Sequence, residues 1–235
     1  MTSPAKPWDE GWWSAVAQRR VRLWRGVEAQ HIVSTMKLVD SEAEQAELER
    51  ILEASKPPAP PAHFLVATPF RYPSPHASRF RGAGQRGIWY GAETVRTACT
   101  ELGYWRWRFL VDSDGLRDGE LIASFTLFPA IVDGRAIDLS APPWDARRDD
   151  WTSDDYARCQ RLAAEARERG VEWLRYWSAR HVSGHCAAVL EPTVLAEPQL
   201  VRQQTWHCKV TATMAFMRHD ADTISLVFPP KPVDD

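Results

Sequence analysis

The chain has 235 residues, of which 44% are hydrophobic, and its formal net charge at pH 7 is -2. This length and composition can bury a substantial core, and they suit one domain with an extension or a single large α+β domain. The near-neutral charge gives no electrostatic reason to expect nucleic acid as a partner. The sequence has no apolar run long enough for a membrane helix and no signal-peptide pattern, so we expect a cytoplasmic protein without a membrane partner.

The cysteines are widely spaced and form no CxxC pair, which excludes a zinc ribbon and a redox motif and favours reduced, buried thiols. They are Cys99, Cys159, Cys186 and Cys208. Two of them follow a histidine directly, in His185-Cys186 and His207-Cys208. Adjacent residues on a strand point to opposite faces, so neither pair can form a local dyad or share one metal ion. We therefore predict no metal site.

The sequence predicts an N-terminal extension over residues 1–61 and a catalytic domain over residues 62–235. Large aromatic area in the first half, including Trp8, Trp12 and Trp13, indicates a well-packed segment or a protein interface. Ser41 and Glu44 have the spacing of a capping box at a helix N-terminus. The predicted elements are a short helix within residues 11–20, a strand within residues 21–30, a helix from Ser41 to Ser55 with Leu48, Ile51 and Leu52 on one face, and a stiff polyproline connector over residues 56–62.

The stretch from Thr68 to Phe109 has the density of a functional site. It begins as a polar loop rich in Gly and Pro, whose arginines suit anion binding better than core packing: Arg71, Arg79, Arg81 and Arg86. A short strand over residues 88–90 and a helix over residues 92–104 are predicted to follow. Glu101 is placed in the last turns of this helix, where the helix dipole disfavours a carboxylate, so it is an unusual surface residue and a functional candidate.

The remainder of the chain predicts more strands than helices, without regular βαβ alternation. We expect strands over residues 106–111, 120–128, 135–139, 171–176, 186–190, 206–218 and 224–228, a hairpin turn at Asp133-Gly134, and a helix from Thr152 or Ser153 to Arg169. A loop of small residues over 177–184 places the hydroxyl of Ser178 between two strands. The fold class predicted is α+β with a mainly antiparallel sheet.

The run SRFRGAGQRGIWYGAETVRTACTE, residues 78–101, resembles the RES domain family. In that family an arginine opens a loop containing Gly or Pro, a tyrosine ends a strand, and a glutamate follows on a helix. Tyr90 and Glu101 are eleven residues apart, as in the family, and Ser178 in RYWSAR matches the third signature residue. The resemblance extends over residues 70–192.

This resemblance implies an ADP-ribosyltransferase-like α+β fold, with mainly antiparallel or mixed sheets and flanking helices. It also implies cleavage of the nicotinamide-ribose bond of NAD by hydrolysis or phosphorolysis, with NAD as substrate rather than cofactor. The implied catalytic residues are Glu101, Arg79 and Ser178, and the implied substrate-binding residues are Tyr90, Arg71, Arg81 and Trp89. A carboxylate can stabilise the cationic ribose that forms when an N-glycosidic bond breaks.

The sequence departs from the family pattern around the arginine. The family arginine is usually followed by Trp-Asn, whereas Arg79 is followed by Phe80 and Arg81, and Arg79 lies eleven rather than ten residues before Tyr90. Arg79 is our choice for the substrate-binding arginine, with Arg81 and Arg71 as the alternatives.

Family members are often toxins of bacterial toxin-antitoxin pairs. The resemblance therefore implies either a toxin with an antitoxin of helix-turn-helix type as its partner or, since the N-terminal extension is longer than the minimal domain, a free-standing member of the family. A second copy of the chain is another candidate partner. Two alternative functions stay open: transfer of ADP-ribose to a protein, and a non-catalytic NAD pocket that acts through partners. Trp89 and Tyr90 are equally compatible with an aromatic core pair.

Overall fold

One long strand, β3, holds the two parts of the sheet together. The computed structural model describes residues 8–28, 38–58 and 62–228. The strands are β1 Ala17–Glu28, β2 Trp89–Ala92, β3 Leu121–Asp138, β4 Trp173–Trp177, β5 His185–Val189, β6 Gln204–Val210, β7 Met214–His219 and β8 Asp222–Val227. The helices are α1 Glu42–Ala54, α2 Phe64–Arg71, α3 Val95–Val111, α4 Arg148–Thr152 and α5 Ala157–Glu168, and short 3-10 helices cover Glu10–Ala15, Trp144–Arg147, Pro192–Val194 and Leu200–Arg202.

The eight strands form one mixed sheet in the order β1-β2-β5-β4-β3-β6-β7-β8. Because β1 also pairs with β3, the strands β1, β2, β5, β4 and β3 close into a ring. From the other end of β3, the strands β6, β7 and β8 continue as an antiparallel extension. Among the described strands only β3 and β4 pair in parallel. The predicted α+β class, with a mainly antiparallel sheet and flanking helices, is confirmed.

Helix α3 crosses the sheet and positions the candidate site. Thr94 caps it by accepting a hydrogen bond from the backbone N–H of Thr97. Trp107 anchors its second half, since the indole N–H donates to the carbonyl of Ala212 at 2.7 Å and the ring stacks on Phe228 at 4.3 Å. The first half of α3 is thereby held over β1, β2 and β5.

A cluster of tryptophans fixes the N-terminal segment to the rest of the molecule. Trp144 is completely buried, and the rings of Trp8, Trp12 and Trp13 lie with their centroids 5.3 to 6.0 Å from its ring. Trp151 extends the same cluster. The prediction of a well-packed aromatic N-terminal segment is confirmed.

Two of the predicted strand assignments around β3 are wrong. Residues 106–111 belong to α3, because Trp107, Leu110 and Val111 are buried at helical spacing. The strands predicted over residues 120–128 and 135–139 are one continuous strand, Leu121–Asp138, without a turn between them. Gly134 lies inside β3 opposite Arg19, where a Cβ would lie only 2.6 Å from Val194 Cγ1, so this glycine serves close packing rather than a turn.

Other predicted boundaries also change. The helix predicted from Thr152 or Ser153 to Arg169 is α5, which begins only at Ala157, and Thr152 instead ends the separate short helix α4. Arg71 ends helix α2 instead of lying in a loop. The single strand predicted over residues 206–218 is the hairpin β6–β7. The helix predicted within residues 11–20 is a 3-10 helix followed by β1, and the part of the predicted 21–30 strand after Glu28 lies outside the described residues.

The N-terminal extension combines confirmed and unexpected features. The Ser41 cap is confirmed, since its hydroxyl accepts from the N–H of Glu44 at 3.2 Å. The apolar face of α1 is not buried: Ile51 is 51% and Leu52 41% exposed. The domain boundary at residues 61/62 stays a prediction, and residues 59–61 of the polyproline connector lie outside the described residues.

Candidate functional site

A cavity of about 320 Å³ lies where α3 crosses the ring of strands. Its walls come from β1, β2, β4, β5, α3 and the segments before β2 and α5. The lining residues are Trp24, Arg25, Gly26, Ser78, Arg79, Tyr90, Gly91, Ala92, Ala98, Glu101, Leu102, Trp105, Tyr156, Tyr176, Arg180 and Cys186. Aromatic rings, three guanidinium groups and one carboxylate therefore converge on one space, which is the composition of a small-molecule site.

Glu101 is the carboxylate of this cavity, and two neighbours hold one of its oxygens. The hydroxyl of Ser178 donates to Glu101 Oε1 at 2.5 Å, and the thiol of Cys186 lies 3.8 Å from the same atom. Glu101 is in the middle of α3, ten residues before the helix ends. The prediction that it lies in the last turns, where the helix dipole disfavours a carboxylate, is therefore wrong. A carboxylate at this position is instead oriented by two donors, the Ser178 hydroxyl and the Cys186 thiol.

Ser178 supports Glu101 from behind the cavity wall. It is 4% exposed and is not among the lining residues. Its oxygen accepts hydrogen bonds from the backbone N–H groups of Arg180 at 3.1 Å and His181 at 2.9 Å. With both acceptor positions occupied, its own proton is directed to Glu101, so Ser178 is placed to position the carboxylate.

Tyr90 joins strand β2 to the preceding arginine loop. Its hydroxyl lies 2.9 Å from Ser78 Oγ and accepts from the N–H of Phe80 at 3.1 Å. Burial raises the pKa of Tyr90 above its ordinary value, although these hydrogen bonds oppose the shift. The phenol therefore stays neutral and fixes the backbone on either side of Arg79.

Arg79 lines the cavity and bonds to backbone carbonyls. Its Nη1 donates to the carbonyls of Trp151 at 2.9 Å and Ser153 at 2.6 Å, and its guanidinium lies 4.8 Å from the centroid of the Tyr156 ring. Carbonyls and rings orient a guanidinium without neutralising it. Its full positive charge thus remains available to an anion in the cavity.

The other predicted binding residues lie away from the cavity. Arg71 forms an ion pair with Glu53 at 2.6 Å, and Arg81 donates to the carbonyl of His76 at 2.9 Å. Trp89 is completely buried in the core on the opposite face of β2 from Tyr90. Of the three arginines considered from the sequence, the structure brings only Arg79 together with Glu101 and Tyr90.

Sequence reasoning missed two arginines in the cavity wall. Arg25 in β1 donates to the carbonyl of Tyr90 at 2.9 Å, and burial lowers its pKa to about 10. Arg180 forms an ion pair with Asp154 at 2.5 Å. Arg25 is one of four arginines in β1, and alternation along the strand is a local signal that sets it apart from Arg20 and Arg22, because it shares a face with Val21 and Leu23.

Two further groups in the cavity stay protonated at neutral pH. Burial raises the pKa of Cys186 well above its ordinary value, and nearby Glu101 adds to the shift. Burial likewise raises the pKa of Tyr176 well above its ordinary value. Cys186 is therefore a neutral thiol that can donate to Glu101, which does not favour a nucleophilic role.

The four cysteines are buried and free, as predicted. Within the described ranges, no group of three or more His, Cys, Asp or Glu side chains is placed to hold a metal ion. No helix in the described part of the chain is long and apolar enough to cross a membrane.

Fold and site together define an α+β protein whose cavity presents one oriented carboxylate, aromatic walls and uncompensated guanidinium groups. The RES domain family matches residues 47–211, so the chain belongs to the RES domain family. A search of the curated proteins found no significant match. One similar solved structure is the crystal structure of the M. tuberculosis MbcT-MbcA toxin-antitoxin complex, with 13% identity, 93% coverage of each chain and a TM-score of 0.48.

Proposed function

We propose that this RES domain protein cleaves the nicotinamide-ribose N-glycosidic bond of NAD, by hydrolysis or phosphorolysis. The observation that carries the proposal is the orientation of Glu101 by Ser178 in a cavity that also holds Arg25 and Arg79. In the described part of the chain, neither of these arginines has a carboxylate within ion-pair distance. Two uncompensated guanidinium groups match the two negative charges of a pyrophosphate, and guanidinium geometry favours phosphate oxygens.

The pKa of Arg25 supports an anionic ligand. Burial lowers the pKa of Arg25 to about 10, so the folded protein holds a desolvated positive charge that remains protonated at neutral pH. Such a charge is costly without a partner. A bound phosphate would relieve this cost, and the guanidinium would in turn fix the diphosphate relative to Glu101.

The chemical step uses the carboxylate as an electrostatic stabiliser. The bond between the ribose C1' and the nicotinamide nitrogen breaks, and its electron pair leaves with neutral nicotinamide. Positive charge develops on the ribose, and the carboxylate of Glu101 stabilises it while water or phosphate forms the new bond to C1'. The proton of an attacking water passes to Glu101 or to solvent.

The test is release of nicotinamide from NAD by the purified protein. We expect Glu101→Gln to lower kcat by about a hundredfold or more, because it removes the negative charge that stabilises the transition state. Glu168→Gln changes an exposed carboxylate on α5 and serves as the matched control. Retained turnover in the Glu101→Gln variant would contradict the proposed site.

Product analysis separates the acceptors. Mass spectrometry of reactions with and without phosphate distinguishes ADP-ribose from its phosphorylated form, and labelled NAD reveals any transfer to protein. NAD binding without any turnover by the wild-type protein would instead support a non-catalytic pocket.

We also infer a toxin-like role in the cytoplasm, controlled by an antitoxin of helix-turn-helix type; family membership supports this inference. Expression in a bacterial host should lower cellular NAD and arrest growth, and the Glu101→Gln variant should do neither. Normal growth with depleted NAD would separate the activity from the toxin role.

A further inference from the structure

The mouth of the cavity has a composition that catalysis at Glu101 does not require. It carries the indole of Trp105, the ring of Tyr156 and the guanidinium of Arg180. Glu101 and Trp105 are four residues apart on α3, so they lie on one face of the helix, one turn from each other. A ligand whose reacting bond lies at Glu101 and which extends along α3 must therefore pass Trp105.

Resting on the proposed function, we propose that this mouth is a subsite for the nucleoside diphosphate half of the substrate, with Trp105 stacking on the base and Arg180 adding a third guanidinium to the phosphate contacts of Arg25 and Arg79. The cavity volume of about 320 Å³ is at the lower end of the range for ligand sites, roughly 300–1,000 Å³. A dinucleotide would fill it with the reacting half and extend the other half through the mouth.

Trp105 is suited to stacking because its ring contacts Tyr104 and is exposed to solvent. It lines the cavity and is 52% exposed, and its ring makes an edge contact with Tyr104 at 5.4 Å. Nucleobases stack on such exposed aromatic faces without a need for specific hydrogen bonds. An exposed indole at the edge of a cavity thus gains contact area only when a flat ligand occupies the mouth.

Arg180 is held in place by contacts that a phosphate can supplement or replace. Its guanidinium lies 3.7 Å from the centroid of the Tyr104 ring, and its partner Asp154 has a side chain that is 71% exposed. An ion pair with so exposed a carboxylate contributes little to stability. The backbone N–H of Arg180 also bonds to Ser178, which connects the mouth to the residue that positions Glu101.

The experiment measures ADP binding by calorimetry for the wild-type protein and three variants of α3. We expect Trp105→Ala to weaken ADP binding about tenfold, since it removes one stacked base. Phe109→Ala is the matched control, because Phe109 lies one turn further along α3 and is also 52% exposed but does not line the cavity. Trp105→Phe keeps an aromatic face and should retain part of the affinity.

Kinetics with a shortened substrate provide the second measurement. Nicotinamide mononucleotide has the reacting bond but lacks the adenylyl half, so Trp105→Ala should lower kcat/KM for NAD about tenfold more than for nicotinamide mononucleotide. Equal losses for both substrates would overturn the subsite, and so would wild-type ADP affinity in the Trp105→Ala variant or an absence of ADP binding to the wild-type protein.

The two proposals can fail separately. If the wild-type protein does not cleave NAD but its ADP affinity depends on Trp105, the proposed function is wrong and the subsite is supported. If NAD is cleaved through Glu101 but Trp105→Ala leaves ADP binding unchanged, the subsite is wrong and the proposed function stands.

Discussion

Ser178 is the residue whose role the structure changes most. The family resemblance implied that Ser178 is a catalytic residue, whereas its buried hydroxyl donates to Glu101 at 2.5 Å and does not line the cavity. We expect Ser178→Ala to lower kcat by about 10- to 100-fold with little change in KM, because hydrogen bonds to charged groups contribute about 1.5–3 kcal/mol. Steady-state kinetics of nicotinamide release measure both constants. Ser183→Ala, an exposed serine of the same loop, is the control.

A direct contact between Ser178 and substrate gives a different result. In that case Ser178→Ala would raise KM for NAD. If Ser178 positions Glu101, the variant should instead lower kcat and leave KM close to the wild-type value.

Strand β1 shows how far the catalytic part extends toward the N-terminus. It pairs with β3 over twelve residue pairs, from Ala17–Ala136 to Glu28–Phe125, and it supplies Arg25 to the cavity. We expect residues 62–235 expressed alone to show no cooperative unfolding transition, because without β1 the ring of strands opens and residues 125–136 of β3 lose the strand that pairs with them. Denaturant unfolding followed by circular dichroism tests this. Cooperative unfolding of the fragment would support the boundary at residues 61/62.

The stability of the whole molecule should depend on His185 at mildly acid pH. Burial lowers the pKa of His185 below its ordinary value of 6.5. The positive charges of Arg175 and Arg148 lower this pKa further, and the negative charges of Glu93 and Asp138 oppose the lowering. The folded protein thus prefers the neutral imidazole, so this contribution to stability is complete above pH 6.5. It is lost progressively as the pH falls from 6.5 through the lower pKa of the folded state.

We therefore expect His185→Gln to reduce the loss of unfolding free energy between pH 7.5 and pH 5.5. Guanidinium chloride unfolding at a series of pH values measures the unfolding free energy of both proteins. His76→Gln alters an exposed histidine and should leave the pH dependence of the wild-type protein unchanged. Parallel curves for the wild-type and His185→Gln proteins would contradict the assignment.

The sequence by itself determined the α+β class, and it singled out Tyr90 and Glu101 together with three candidate arginines, because these follow from local patterns and from spacing within one stretch. It did not distinguish the second half of α3 from a strand, since alternating arginine and aromatic residues fit both periods. Only the tertiary structure decided that Arg25 and Arg180 line one cavity with Glu101, and that Arg71, Arg81 and Trp89 do not. The physical reason is that a cavity is formed by side chains from separate strands and helices, so their convergence depends on which strands pair. The pairing of β1 with β3 matters most, and this pairing has no local signature in the chain.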